Sequence, residues 1–160
     1  MELSIKKKTL IEDVGVLLEE RANLSPLSSR IYALLILSSY DGMSFEAIVT
    51  TMQASKSSIS SSINVLLQLH YIDYYTKPGD RKRYFKTSQF YIKNTMERQI
   101  RLIEKELTIV QKINNFNKEN NPEKFKNEKS LGILFQEHLE NQRIKINETL
   151  KEITQFEKQD

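Results

Sequence analysis

The chain has 160 residues and a net charge of +3, which fits one domain or a compact domain with an extension. It contains no cysteine, so disulfides and thiolate metal sites are excluded. No long apolar run follows the N-terminal lysines, and the longest apolar patch, residues 31–37, is too short to span a bilayer. We therefore expect neither a signal peptide nor a membrane partner.

The charge is distributed unevenly along the chain. Residues 1–53 carry 5 basic and 7 acidic side chains, and residues 92–160 carry 13 and 12. Residues 54–91 carry 6 basic and only 2 acidic side chains. The positive charge therefore lies in the middle segment, as expected for a local surface that binds a polyanion.

The N-terminal part is predicted to form two helices. The first spans residues 4–23, and its apolar stripe consists of Leu10, Val14, Leu17 and Leu18, with Ile11 at the edge. The second spans residues 27–37, with Ser25 as its cap and Pro26 at its first position. Its apolar density, with Ile31, Leu34 and Leu35 facing inward, indicates burial on most sides.

A helix-turn-helix pattern follows. Ser44 is predicted to cap a short helix over residues 45–52, and Ser55 to cap a second helix that ends near Leu69. Because the turn between them lacks glycine, Ala54 is expected to occupy its tight position. The apolar residues of the second helix share one face: Ile59, Ile63, Leu66 and Leu67.

The opposite face of that second helix is short and neutral. It carries Ser57, Ser58, Ser61, Asn64 and Gln68, whereas a helix that needs only solubility would usually carry charged residues there. Short hydroxyl side chains allow a helix to lie close to another surface, such as a DNA major groove lined with donors and acceptors. The alternative is a flexible serine-rich linker, which the apolar spacing disfavours.

A basic β-hairpin is predicted next. Residues 71–76 are rich in β-formers, residues 77–80 form a type II turn around Pro78 and Gly79, and residues 81–86 return as the second strand. A hairpin directly after such a helix is the wing of a winged helix. The alternative interpretation of its charge is a solvated edge that discourages sheet pairing.

The C-terminal part is predicted to contain two long helices, the first capped by Thr87 or Ser88. Its apolar residues are close to a heptad spacing: Ile92, Met96, Ile100, Ile103, Leu107 and Val110. Residues 114–127 are predicted to be a loop or frayed turn. The last helix, residues 128–156, carries the stripe Leu131, Phe135, Leu139, Ile146, Leu150 and Ile153. Seams of this length usually meet another helix, so we expect a homodimer built from the first helix and the last two.

Three segments together resemble one family: residues 24–37 (LSPLSSRIYALLIL), 55–60 (SKSSIS) and 78–85 (PGDRKRYF). With them the chain resembles the MarR-type winged-helix transcription regulators, and most of all the GbsR branch, over about residues 20–90. The resemblance implies a mainly α fold with a small β-hairpin wing and long dimerisation helices. It implies an N-terminal dimerisation helix over residues 1–24, a DNA-binding winged helix-turn-helix domain over 25–90 and a helical dimerisation region over 91–160.

The resemblance also implies a function. It implies a cytoplasmic, nucleoid-associated homodimer that represses transcription from a pseudo-palindromic operator in double-stranded DNA. Release by a small-molecule effector is a further implication, although the residues that would bind it are unknown. The abundance of serine in the recognition helix departs from the family pattern and leaves the operator sequence open.

The DNA-binding hypothesis assigns roles by chemistry. Lysine and arginine side chains, including Lys86, neutralise phosphates. Arg81 is best placed to enter the minor groove, where the negative potential favours arginine. Serine and asparagine side chains are suited to base edges or phosphate oxygens. The candidate DNA-contacting residues are Ser44, Ser55, Lys56, Ser57, Ser58, Ser60, Ser61, Asn64, Lys77, Arg81, Lys82 and Arg83.

The remaining patterns support no enzyme, metal site or cofactor. His70 and His138 are far apart, and a helix-ending role is expected for His70. No glycine-rich phosphate loop or nucleophile elbow is present. Five tyrosines are candidates for an effector pocket or a quaternary-ammonium cage, or for packing in the core and wing: Tyr32, Tyr40, Tyr71, Tyr74 and Tyr75. The competing functional class is a winged helix that contacts protein without binding specific DNA.

Overall fold

The computed structural model describes residues 4–88 and 90–158, which form six helices and a three-stranded antiparallel sheet. In chain order the elements are α1 (Ile5–Ala22), α2 (Pro26–Ile36), β1 (Met43–Ser44), α3 (Phe45–Met52), α4 (Lys56–Gln68), β2 (Ile72–Thr76), β3 (Arg83–Thr87), α5 (Phe90–Asn120) and α6 (Leu131–Glu157). A short 3-10 turn, Pro122–Lys124, lies between α5 and α6. The mainly helical fold with a small β wing is thus confirmed. No described helix is both long and apolar enough to cross a membrane.

The predicted helix caps of the N-terminal part are confirmed. The hydroxyl of Ser25 accepts the backbone N–H of Ser28, and Pro26 occupies the first helical turn of α2. Ser44 and Ser55 cap α3 and α4 in the same way, by accepting the N–H groups three residues further on. Each cap satisfies a donor that the helix leaves unpaired, so the serines fix where these helices begin.

The buried face of α1 differs from the predicted stripe. Ile11, Gly15 and Leu18 are buried, whereas Leu10 and Leu17 are exposed. The contact with α2 determines which face of α1 is buried. In this contact the side chain of Arg30 crosses α1 at Gly15 and forms ion pairs with Glu12 and Glu19. A methyl group on Gly15 would lie 3.1 Å from the Arg30 Nε atom, so the absence of a side chain makes room for the guanidinium.

The turn between α3 and α4 also differs from prediction. Gln53, not Ala54, adopts the left-handed conformation with φ of 52°, and its N–H donates to the Val49 carbonyl oxygen. Ala54 is half-buried against the core. An exposed polar residue therefore takes the left-handed position, and the alanine methyl contributes to packing instead.

The sheet contains one strand that the sequence did not predict. β1 pairs with β3, so the strand order is β1-β3-β2. β3 begins at Arg83, which leaves Arg81 and Lys82 in the loop rather than in the strand. The predicted type II turn is supported by Gly79, with φ of 79°, and by a 3.0 Å hydrogen bond from Asp80 N to the Lys77 carbonyl oxygen.

The described residues form two compact units, one ending at Tyr91 and the other beginning at Ile92. The first unit has an apolar core to which α2, α3, α4 and the sheet all contribute. The most deeply buried side chains include Ile31, Leu34, Ile48, Ile59, Leu66 and Ile72. This core holds α4 by its inner face and leaves its outer face to solvent.

The second unit is a helical hairpin, and it corrects the predicted loop over residues 114–127. α5 continues to Asn120, because the buried Asn114 side chain donates hydrogen bonds to the Gly132 carbonyl oxygen at 3.0 Å and to Gln136 Oε1 at 2.9 Å. α6 begins at Leu131 rather than at residue 128, with Ser130 as its cap.

The predicted apolar stripes of this hairpin are buried to different degrees. Leu107 and Leu139 are buried. Ile92, Leu131 and Phe135 are exposed. The other stripe residues are half-buried: Met96, Ile100, Ile103, Val110, Ile146, Leu150 and Ile153.

Candidate nucleic-acid interface

Helix α4 presents its short polar side chains to solvent. Its inner face consists of Ile59, Ser62, Ile63 and Leu66, all buried. The predicted outer residues are exposed: Ser57, Ser58, Ser61, Asn64 and Gln68. The further candidate Ser60 is exposed as well. Sequence reasoning missed the buried Ser62, although it lies three residues after Ile59 and four before Leu66 and so shares their face.

The first turn of α4 is a cluster of hydroxyl groups. Ser55 Oγ lies 2.8 Å from Ser58 Oγ and 3.1 Å from Ser57 Oγ, and it accepts the Ser58 N–H at 3.2 Å. Lys56, also exposed, adds a positive charge at the end of the helix where the helix dipole is positive. Hydroxyls can donate or accept, so this end of α4 can pair with either phosphate oxygens or base edges.

Two candidate residues have structural tasks of their own. Ser44 is half-buried, pairs with Tyr84 across the sheet and caps α3 through its hydroxyl. The Ser55 hydroxyl likewise caps α4. Sequence alone does not separate a serine that caps a helix from a serine that contacts a partner, because the same short hydroxyl suits both roles.

The wing carries cations in two different settings. Lys77 Nζ lies 4.2 Å from the centre of the Tyr84 ring, and the Arg83 guanidinium lies 5.2 Å from that of Tyr74. Arg81 and Lys82 are exposed in the loop between the strands. Within residues 4–88 and 90–158, the salt bridges involve neither these four cations nor Lys56 and Lys86.

Asp80 organises the loop that holds Arg81 and Lys82. One carboxylate oxygen accepts the Lys82 N–H at 2.9 Å, and the other accepts the Tyr84 hydroxyl at 2.9 Å. The bond from Lys82 N–H, followed by that from Tyr84, holds the pKa of Asp80 below its usual value. The same bond to Asp80 raises the pKa of Tyr84. The carboxylate is thus bonded within the loop it belongs to.

The five candidate effector tyrosines do not form one pocket. The Tyr32 ring is buried, 5.0 Å from that of Tyr71, and burial raises its pKa. Tyr74 packs against Phe85, and Tyr75 lies beside Tyr84. Tyr40 is 97% exposed. Packing in the core and wing therefore accounts for all but Tyr40.

The two histidines lie in different units of the fold. His70 ends α4 in a left-handed conformation with φ of 59°, and its N–H donates to the Leu67 carbonyl oxygen at 3.1 Å. This agrees with the predicted helix-ending role. Among the described residues no three histidine, cysteine, aspartate or glutamate side chains are grouped as a metal site requires.

Comparisons with known proteins bear on the fold. No family model matches the chain, and no curated protein matches it. A solved structure described as a transcriptional regulator matches with a TM-score of 0.52 and 19% identity, over 94% of each chain. A mutant of the S. aureus protein MepR matches with a TM-score of 0.43 and 18% identity, over 67% of this chain and 75% of that chain. The first likeness supports the winged-helix fold.

Proposed function

We propose that the protein is a DNA-binding transcriptional regulator of the MarR type, closest to the GbsR branch. The observation that carries the proposal is the pairing, in one folded unit, of an exposed hydroxyl-rich α4 with a wing whose cations form no salt bridge with any carboxylate of the described residues. An exposed helix of short polar residues fits a major groove, and free cations at a loop tip fit phosphates and the minor groove. The exposed α4 serines, Asn64 and Arg81 would then contact the duplex.

The regulator would act as a dimer on a pseudo-palindrome, because two copies of α4 related by two-fold symmetry read two half-sites. Exposed apolar residues on α1, α5 and α6 support the dimer. They include Leu17, Ile109 and Phe116, each more than half exposed. Repression, an effector that acts by shifting the spacing of the two wings, and a cytoplasmic location belong to the same proposal.

One observation favours a second candidate, a winged helix that contacts protein. Val65 of α4 and Leu69, the residue directly after α4, are 41% and 52% exposed. An apolar pair of this kind is typical of a protein-contact surface. The DNA proposal predicts strong retention on heparin that falls steeply with salt, and the protein-contact alternative predicts little retention.

The decisive experiment is selection of genomic fragments with the purified protein, followed by binding measurements with two variants. Arg81→Ala should weaken binding to operator and unrelated DNA alike and lower the salt slope by about one unit. Ser61→Glu should remove the operator preference, because a long acid repels phosphates and keeps α4 from the groove.

Two controls carry the same chemical changes elsewhere. Ser39→Glu adds an acid to an exposed loop serine of the same unit, and Lys112→Ala removes an exposed lysine from α5. Both should bind normally, and circular dichroism should be unchanged in all four variants. A folded Ser61→Glu protein that still binds operator normally would place the protein-contact alternative first.

A further inference from the structure

Two tyrosines lie opposite each other on the outer face of the sheet. Tyr75 of β2 pairs in register with Tyr84 of β3, and their ring centres are 5.8 Å apart. Side chains alternate between the two faces along a strand. The Tyr75 and Tyr84 side chains therefore lie on the face opposite to that of the neighbouring pair, Tyr74 and the buried Phe85. Core packing therefore does not explain why both positions carry tyrosine.

Both phenol hydroxyls are engaged, and their partners lie in different parts of the unit. Tyr84 donates to Asp80 Oδ2 at 2.9 Å, in the wing loop. Tyr75 donates to the carbonyl oxygen of Asp41 at 2.8 Å, 34 residues away in the chain. Asp41 lies in the loop that leads into β1 and then α3. The two adjacent, tilted rings thus join the wing loop to the segment that precedes the helix-turn-helix.

The wing loop needs such a connection because its charges oppose its compact shape. Lys77, Arg81, Lys82 and Arg83 lie within seven residues, and like charges at this spacing repel one another. Asp80 is the only acid in residues 77–86. Its carboxylate is used for bonds to Lys82 N–H and the Tyr84 hydroxyl, so it is anchored within the wing.

We propose that Tyr75 and Tyr84 form a brace that holds Arg81 and Lys82 at a fixed position relative to α3 and α4. This inference rests on the proposed DNA-binding function, and the two tyrosines are positioning residues that need not touch DNA. A loop ordered in the free protein does not have to be ordered on binding, so the brace transfers that entropy cost from binding to folding.

The test uses Tyr84→Phe and Tyr75→Phe, which remove one hydroxyl each and keep both rings. The probe is a generic DNA duplex of about 30 base pairs, long enough for two half-sites one helical turn apart. Each variant should bind about 3- to 10-fold more weakly, as expected for loss of one net hydrogen bond that orders the loop. The salt slope should stay unchanged, because every cation remains. Tyr40→Phe, at the exposed tyrosine, is the matched control and should bind like the wild type.

A double-mutant cycle with Arg81→Ala separates positioning from general destabilisation. If the brace acts through Arg81, Tyr84→Phe should weaken binding much less in the Arg81→Ala background than alone. If the losses of binding free energy from Tyr84→Phe and Arg81→Ala are fully additive, the proposal is overturned. It is also overturned if both phenylalanine variants bind like the wild type while Arg81→Ala binds weakly. Failure of the wild-type protein to bind the duplex would instead overturn the proposed function. Circular dichroism spectra identical to that of the wild type at the assay temperature exclude unfolding as the cause.

Discussion

The two units bury their apolar residues to very different extents. The first unit encloses a core in which Ile31, Leu34 and Ile48 are completely buried. In the second, the buried side chains among the described residues are Leu107, Asn114 and Leu139, and one of these three is polar. The first unit therefore has a core of its own, whereas a two-helix hairpin with so little buried surface is marginal without a further packing partner.

The exposed surface of the hairpin is consistent with the proposed dimer. Leu102, Ile109, Ile113 and Phe116 follow one face of α5, at steps of seven, four and three residues, and all are more than half exposed. A row of this kind on a long helix is typical of an interface between helices. The proposed second copy would cover it and complete a core that one chain leaves open.

The largest effect is expected from Ile109→Glu. The side chain is exposed in a single chain, so the change leaves the chain's own core intact. A charge in the middle of the proposed interface should convert the dimer to monomer and abolish tight DNA binding, as measured by sedimentation and by duplex titration. Gln111→Glu, two residues further along α5 and also exposed, should remain dimeric. A wild-type protein that is monomeric at micromolar concentration would refute the proposed dimer interface.

The next largest effect is the loss of unfolding free energy when a buried side chain of each unit is truncated. Ile31→Ala should lower the free energy of unfolding by an amount in the upper half of about 2–5 kcal/mol, because the site is completely enclosed and cannot collapse. Leu139→Ala should lie in the lower half of that range, because the thin seam between α5 and α6 can relax into the cavity. Urea titrations measure both, and equal losses would mean that the second unit has an equally rigid core.

A smaller effect is expected at the polar seam of the hairpin. Alanine is a better helix former than glycine by about 1 kcal/mol, so Gly132→Ala would ordinarily stabilise α6. Here its methyl group would collide with the Asn114 side chain, which is buried and held by two hydrogen bonds. We expect a net loss of about 1–3 kcal/mol in urea unfolding.

The control for that prediction removes the obstacle. In an Asn114→Ala background, Gly132→Ala should become neutral or stabilising, because the methyl group then has space. Equal effects of Gly132→Ala in both backgrounds would show that Asn114 does not set the distance between α5 and α6.

The smallest effect comes from two equivalent helix caps. Ser55 caps α4 in the first unit and Ser130 caps α6 in the second, each by accepting an N–H at 3.2 Å. Either serine replaced by alanine should cost about 1 kcal/mol. If the two units unfold separately, hydrogen exchange should show protection lost in the unit that carries the change. Loss spread equally over both units would show that they unfold as one.

Sequence rules worked best where structure is decided locally. Serine caps and helical spacing placed α2, α3 and α4 correctly, because a cap and its helix lie within a few residues of each other. β1 was missed because its two residues become a strand only by pairing with β3, some forty positions away. The asparagine-rich stretch after residue 113 resembles a loop, yet Asn114 finds its hydrogen-bond partners on α6 and the helix continues.

The candidate site was predictable in the same uneven way. The outward direction of the α4 serines follows from helical geometry alone. The settings of the wing cations do not, because they depend on contacts such as that between Lys77 and the Tyr84 ring. Nothing local in the sequence indicates that Tyr75 reaches Asp41. Whether the twelve candidate residues contact DNA remains a prediction.

The separation of the two faces of α4 has a consequence for evolution. Folding depends on the inner residues Ile59, Ser62, Ile63 and Leu66, while any partner meets a different set of side chains. Serine is a mediocre helix former, so replacing an outer serine by most larger residues does not weaken the helix. Duplicated copies of such a gene can therefore diverge in target by single substitutions without first acquiring a stabilising change. The same independence makes α4 a practical scaffold for selecting new specificities from a library.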